Sequence, residues 1–420
     1  MTVTPAPPTA PPTSNRTAPA RRAPWAGLRS EAWALAGILL LAFALRAALI
    51  ALKGPGFHFS DTAEYDAAAR ALLSGAGYEL PRAPLYPAWM ALGYRLFGVG
   101  NMAAVRWMQV PLGLAVVALS AKIASRAAGP RAGWIAGLLA AVSPTLVYTT
   151  SMLYPVALKT LLLLVCVGLA QVWEQGNSAP ASLGLGCALA GLWLTDAIGA
   201  VPALALVPWG VALKPRSLVR WGQGLLALLI AAGLTFAAQP PSSGAARGSG
   251  FVAKAEYVLW VARHDPATVG GHRVQDGATE FHPMPARALV RRELHLMRTQ
   301  PGAYAHDLGF EFVHFFAPTP DRLQTQNAYT GRLARWAVAA FFAPVLLLAL
   351  LGAFAGPAPG SARMLLALVP LATAATYAFF FTQMRYRVPS EPEILVLAAI
   401  GALLFWRRGR AAAHTTSRSA

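Results

Sequence analysis

The pattern that most constrains this chain is the alternation of long apolar runs with short cationic clusters. A bilayer core holds no water, so a chain crossing it must satisfy its own backbone polar groups, and a helix of about 20 mainly apolar residues does so. Ten runs have this character, at residues 31–52, 101–127, 131–150, 152–173, 181–198, 199–213, 218–238, 333–355, 362–382 and 392–407. The pair 181–198 and 199–213 is the least regular, because its second member is short and starts near Pro202; one broken span fits the same residues. Only 12% of the residues are charged, half the roughly 25% usual in soluble domains. The predicted fold class is an all-α integral membrane bundle of about ten transmembrane helices.

The formal charge of +18 raises the question of nucleic acid. Its distribution argues against that partner: Lys and Arg sit in clusters between apolar runs, with no basic face interleaved with aromatics. The positive-inside rule instead puts Arg16, Arg21, Arg22 and Arg29 in the cytoplasm, with Lys122, Arg126, Arg131, Lys214, Arg216, Arg220, Arg363, Arg407, Arg408 and Arg410. The chain then divides into a Pro-, Ala- and Thr-rich tail at 1–28, too poor in apolar residues to build a core, and a membrane module at 29–238 with an outer loop at 53–100. A long outer loop at 239–331, C-terminal spans at 332–408 and a second tail at 409–420 follow. Both tails are expected on the cytoplasmic side. Within the long loop, "FVAKAEYVLWVARHD" and "PARALVRRELHLMRTQPGAYAHDLGFEFVHFF" have helical apolar spacing. The second carries Arg287, Arg291, Arg292 and Arg298, and two or three amphipathic helices lying over the membrane are expected there.

Of the 17 acidic residues, all but Glu31 and Glu174 lie in the outer segments or at their membrane edge. Acids contribute little to topology, so this bias points to a polar working surface. Asp61, Glu64 and Asp66 crowd into "FHFSDTAEYDAAARALLSGAGY". At 100° per residue, Asp61 and Glu64 lie about 60° apart on a helix, whereas Asp66 is about 140° from Asp61 and must face elsewhere. Asp61 followed by Glu64 also has the spacing of a capping box, so helix capping alone accounts for the pair equally well. Gly75 and Gly77 are expected to end the helix. "PRAPLYPAW" then supplies Arg82, Tyr86 and three prolines as a stiff connector.

The order "D…EYD…A…L…G.GY…R.PLYP…LFG" resembles the first outer loop of family-39-like polytopic glycosyltransferases of the GT-C class, which includes protein O-mannosyltransferases and the aminoarabinose transferase of lipid A. "RYRVPSEPEILVLAA", from Arg385 to Ala399, is similar to the C-terminal "RYR.P..P" segment of the same family. The resemblance implies a GT-C bundle in the inner cell membrane that moves a sugar from a polyprenyl-phosphate donor to a lipid, glycan or protein acceptor on the non-cytoplasmic face. It implies a loop carboxylate as base, at Asp61 or Glu64. The chain departs from the pattern in three places: Tyr154 and Pro155 stand where an acid is common, Asp196 stands near a usual Arg, and "FAAQPPSSG" replaces a Trp-Arg-Asn.

Such a transfer needs a base within hydrogen-bond reach of the acceptor hydroxyl, and cations to hold the departing phosphate. Asp61 or Glu64 suits the first role. Arg385 and Arg387 of "RYR" suit the second, with Arg82 and Tyr86 as further substrate-binding candidates. Pairing of Arg385 and Arg387 with Glu391 and Glu393 is the structural alternative. Among ionisable groups in apolar runs, Lys159 and Asp196 are expected to pair, and Arg46 to snorkel toward the outer edge. Cys166 and Cys187 read as small buried hydrophobes. His264, Asp265, His272 and Asp276, like His306, Asp307 and His314, lack compact ligand spacing, so neither metal nor cofactor is assigned. A transporter or flippase of lipid-linked sugars, and a non-catalytic lipid-binding member of the same fold, stay open as rival readings.

Overall fold

A computed structural model describes residues 24–53, 60–76, 82–176, 178–238, 286–319, 332–380 and 382–416. The segment "FVAKAEYVLWVARHD", for which helix is expected, His264, Asp265, His272 and Asp276, and residues 1–23 and 417–420 of the two tails lie outside the described residues. In chain order the α-helices are α1 (Pro24–Lys53), α2 (Ser60–Ser74), α3 (Leu85–Phe97), α4 (Met102–Ala128), α5 (Pro130–Val142), α6 (Pro144–Thr150), α7 (Val156–Gln175) and α8 (Ala179–Thr195). They continue with α9 (Ala197–Leu204), α10 (Leu206–Ala212), α11 (Leu218–Ala237), α12 (Ala286–Thr299), α13 (Pro301–His314), α14 (Arg332–Ala355), α15 (Gly360–Ala378), the single turn α16 (Met384–Arg387) and α17 (Glu391–Thr416). No strand occurs among the described residues. The molecule is an all-α, multi-pass membrane protein.

Among the described residues, seven helices are long and apolar enough to cross a membrane, or eight if the bent pair α5–α6 counts as one span. The sequence predicts about ten. The run at 131–150 is this pair, bent by 57° at Ser143–Pro144. The runs at 181–198 and 199–213 form shorter helices, because the backbone is extended at Asp196 and the second run breaks again at Ala205 between Pro202 and Pro208. Helix α1 starts at Pro24 and α17 continues to Thr416, so helix extends into both segments read as tails. Cys166 is buried, but Cys187 is exposed on α8, which corrects its reading as a buried hydrophobe.

Pro144 also explains Arg46. A proline has no N–H, so it frees the carbonyl four residues back, here that of Ala140. The Arg46 guanidinium donates to Ala140 O at 3.5 Å, Ala141 O at 3.3 Å and Ala42 O at 3.1 Å. It is 1% exposed. Arg46 therefore does not snorkel; it satisfies carbonyls that the kink released.

Helices α14 and α17 pack backbone against backbone. A Cβ on Gly352 would run into the Leu397 carbonyl oxygen, one on Gly401 into that of Leu348, and one on Gly356, just past α14, into the Ile400 side chain. Small residues let membrane helices approach this closely, and dispersion between them replaces the missing hydrophobic drive. Gly352→Val is expected to force the helices apart and to destabilise the protein by about 3 kcal/mol, at the upper end of overpacking costs. A thermal midpoint in detergent equal to that of wild type would contradict this packing.

The two ends of the bundle differ in charge. Arg131 lies over the Trp406 ring in the second half of α17, and Arg220 donates to Glu174 O at the far end of α7. Arg363 donates to Ala353 O and Phe354 O where α14 ends. The opposite end carries α2, α3, the α6–α7 turn and α16, and there the acids gather.

Candidate active site

The carboxylates stand on α2, which runs from the first turn at Asp61 to Gly75, a glycine with φ of 70°. Periodicity decides their directions. Asp66 faces α3, where Tyr94 donates to one carboxylate oxygen and Arg70 Nε to the other at 2.9 Å. Asp61 and Glu64 face the other way, toward the turn before α7. Thr62 fastens α2 there by donating to Leu153 O at 3.3 Å. Gln109, fully buried on α4, holds the same turn by donating to Thr150 O and Met152 O at 3.1 and 2.7 Å.

Asp61 is the hub. Tyr154 donates to its Oδ2 at 3.1 Å, Arg385 approaches Oδ2 at 3.7 Å, and Arg82 approaches Oδ1 at 3.5 Å. Arg82 Nε also donates to Glu64 Oε2 at 2.7 Å, so one guanidinium spans both acids. Three tyrosines shape the floor: Tyr65 lies under Arg82 at 5.3 Å and meets the rings of Tyr86 and Tyr154 edge-on. Burial opposes the Arg82 charge, yet its acidic surroundings, the Glu64 hydrogen bond and Asp61 among them, hold the guanidinium above its ordinary pKa. Burial, ahead of the neighbouring charges, pushes the Tyr65 phenol well above the usual range, so it serves as a neutral ring.

The structure thus brings Asp61, Glu64, Arg82 and Arg385 together. Tyr86 stands one layer behind, fully buried, donating to Gln109 Oε1 at 3.3 Å. Arg387 is not brought to the cluster. Two residues apart on a helical turn, Arg385 and Arg387 point about 200° apart. Arg387 turns into the bundle, 1% exposed, against Glu391 Oε1 at 3.0 Å, the Ala317 carbonyl and the Phe342 ring. Tyr154 and Tyr386 were not singled out as site residues by sequence reasoning; "LYP" before α7 and the centre of "RYR" were the available signals. Because Glu64 is nearly half exposed, Glu64→Gln is expected to alter stability by less than about 1 kcal/mol, as exposed pairs do; thermal denaturation checks it.

A second polar group adjoins the first. Asp196, placed at the α8–α9 break, accepts from Lys159 Nζ at 2.7 Å; Tyr377 accepts from the same ammonium at 3.0 Å. Gly199 makes room, since a Cβ there would collide with Lys159 Nζ. Tyr377 stacks flat on Tyr386 at 4.4 Å, and Arg385 lies over Tyr386 at 5.3 Å. Beyond Tyr377, α9 and α15 bound an apolar groove of about 360 Å³ lined by Ile198, Val201, Ala375, Thr376, Phe379 and Phe380. A fixed sequence of surfaces results: apolar groove, tyrosine stack, Arg385, Asp61. His306 approaches Asp307 at 3.7 Å while His314 stacks on Phe310, and no group of three potential metal ligands forms among the described residues.

This bundle, with its bent helix pair and acid-bearing helix at one end, is similar in fold to two solved membrane proteins, ArnT and an archaeal oligosaccharyltransferase. ArnT from Cupriavidus metallidurans bound to undecaprenyl phosphate superposes with a TM-score of 0.51 at 14% identity, over 90% of this chain and 60% of ArnT. The oligosaccharyltransferase AglB from Archaeoglobus fulgidus, in complex with an inhibitory peptide and a dolichol-phosphate, gives 0.52 at 12% identity, over 94% of this chain and 52% of AglB. The chain therefore spans only about half to three-fifths of those proteins' lengths. No family model and no curated protein sequence matches it.

Proposed function

We propose that the protein is a membrane glycosyltransferase that moves a sugar from a polyprenyl-phosphate donor to an acceptor hydroxyl. The observation that carries this reading is Asp61, held between Arg82 and Arg385 at the polar end of a surface that begins as an apolar groove. The prenyl tail lies in the groove between α9 and α15, and the phosphate meets Arg385 and Arg82. Asp61 takes the proton of the acceptor hydroxyl as its oxygen attacks the anomeric carbon. The bond from that carbon to the phosphate oxygen breaks, and the guanidinia hold the charge left on the lipid phosphate. Direct displacement inverts the sugar carbon. By the positive-inside rule the cationic end is cytoplasmic, which puts the chemistry on the opposite face.

Likeness to ArnT and AglB supports this reading through the fold alone, and the cluster supports it through chemistry. A transporter would be expected to place its polar groups at midplane breaks related by a repeat; the cluster here sits at one end. The test is transfer by purified protein in nanodiscs, using a panel of radiolabelled polyprenyl-phosphate sugars and cell-envelope acceptors. Label transferred by wild type and lost in Asp61→Asn is expected. Donor lipid bound without transfer from any donor would favour a non-catalytic lipid-binding protein.

A further inference from the structure

Helix α12 is the most amphipathic described helix, and nothing in the transfer reaction uses it. Its rotation is fixed by Tyr304 of α13, which donates to Glu293 Oε2 at 3.1 Å. Helix α13 is in turn fastened to the bundle: Thr382 N donates to Glu311 Oε2 at 2.7 Å, and Thr382 Oγ1 donates to Glu311 O at 2.9 Å. Just beyond α13, Phe315 packs against Ile198, Ala374 and Tyr377. The hairpin is thus anchored at the end of the spanning helix α15, on the candidate site's side of the bundle.

With that rotation, α12 turns two adjoining stripes outward. Val290, Leu294 and Met297 are 54%, 44% and 38% exposed. At 100° per residue they fall within about 60° of one another. Arg287, Arg291 and Arg298, all exposed, form a ridge beside them, about 50–90° from the centre of the apolar stripe. A soluble surface gains nothing from an apolar stripe flanked by aligned arginines. A helix lying in a membrane interface gains from both, since the stripe enters the acyl boundary and the ridge meets lipid phosphates. Arginine suits phosphodiesters because its guanidinium donates in a bidentate fork.

We propose that α12 is a docking surface for anionic phospholipid headgroups, holding the α12–α13 hairpin flat on the leaflet beside the candidate site. This inference does not depend on the glycosyl-transfer reading. Full-length protein is placed in nanodiscs of phosphatidylcholine alone or mixed with phosphatidylglycerol, and amide hydrogen exchange is followed over residues 286–299. Exchange is expected to slow about tenfold or more in the mixed discs, the surplus protection being the part anionic lipid adds. The Arg287→Gln, Arg291→Gln, Arg298→Gln triple variant is expected to lose that surplus, with α7 and α17 protected as in wild type. Equal exchange in the two disc types would overturn the proposal. So would equal protection in detergent by soluble polyglutamate, which would assign the ridge to an acidic acceptor.

Discussion

Asp61→Asn is expected to lower transfer by about 10²–10⁴-fold, the range associated with a positioned general base, while binding polyprenyl phosphate more tightly than wild type does. Both effects follow from the same contacts. Arg82 and Arg385 approach opposite oxygens of Asp61 at 3.5 and 3.7 Å. These separations are long for charge-assisted hydrogen bonds, which run to about 2.7–2.9 Å. The guanidinia are therefore placed to exchange the carboxylate for a phosphate at small cost. Asparagine keeps the shape and the acceptor for Tyr154, removes the competing charge and cannot take the proton. Lipid-phosphate titration beside the radiolabel assay separates the outcomes. Undiminished transfer would reduce Asp61 to the capping role its position also permits, and lost lipid binding would mean the arginines need Asp61 to hold their places.

Lys159→Met is expected to destabilise the protein by about 3–5 kcal/mol, and adding Asp196→Leu to recover most of that loss. Lys159 and Asp196 side chains are 4% and 11% exposed, and the ammonium also meets Tyr377. Removing one ion leaves the other buried without its countercharge, whereas an apolar pair of similar volume removes both desolvation costs. Chemical denaturation of the two variants and wild type in one detergent makes the comparison. A single variant as stable as wild type, or a double variant no better than the single, would show that the pair is not the structural tie proposed. The recovered double variant also shows whether the tyrosine stack behind Arg385 needs the ammonium, since transfer then falls while stability does not.

Chain-local properties were legible in the sequence. Helices α1, α4, α7, α11, α14, α15 and α17 fall on predicted runs because span length and hydropathy are properties of one segment. The divergence of Asp66 from Asp61 follows from the helical period alone, and Gly75 ends α2 because glycine accepts a positive φ. Where prolines and Asp196 interrupt the runs, counting residues does not fix the spans, since a break depends on whether neighbours satisfy the freed carbonyls. Arg46 does this at Pro144 from another helix, which no local pattern announces.

The pairing of charges was decided by tertiary structure. "RYR" offered two equivalent arginines, and only the rotation of α16 against the bundle sends Arg385 to Asp61 and Arg387 to Glu391. Tyr154 enters the site because the turn between α6 and α7 is held by Gln109 and Thr62, residues far from it in sequence. Sequence by itself determined a membrane-spanning helical chain with its acids collected in the outer segments, because burial in lipid imposes a local rule on each segment. Which cation neutralises which acid was left to packing, because that depends on the azimuth each helix adopts against all its neighbours.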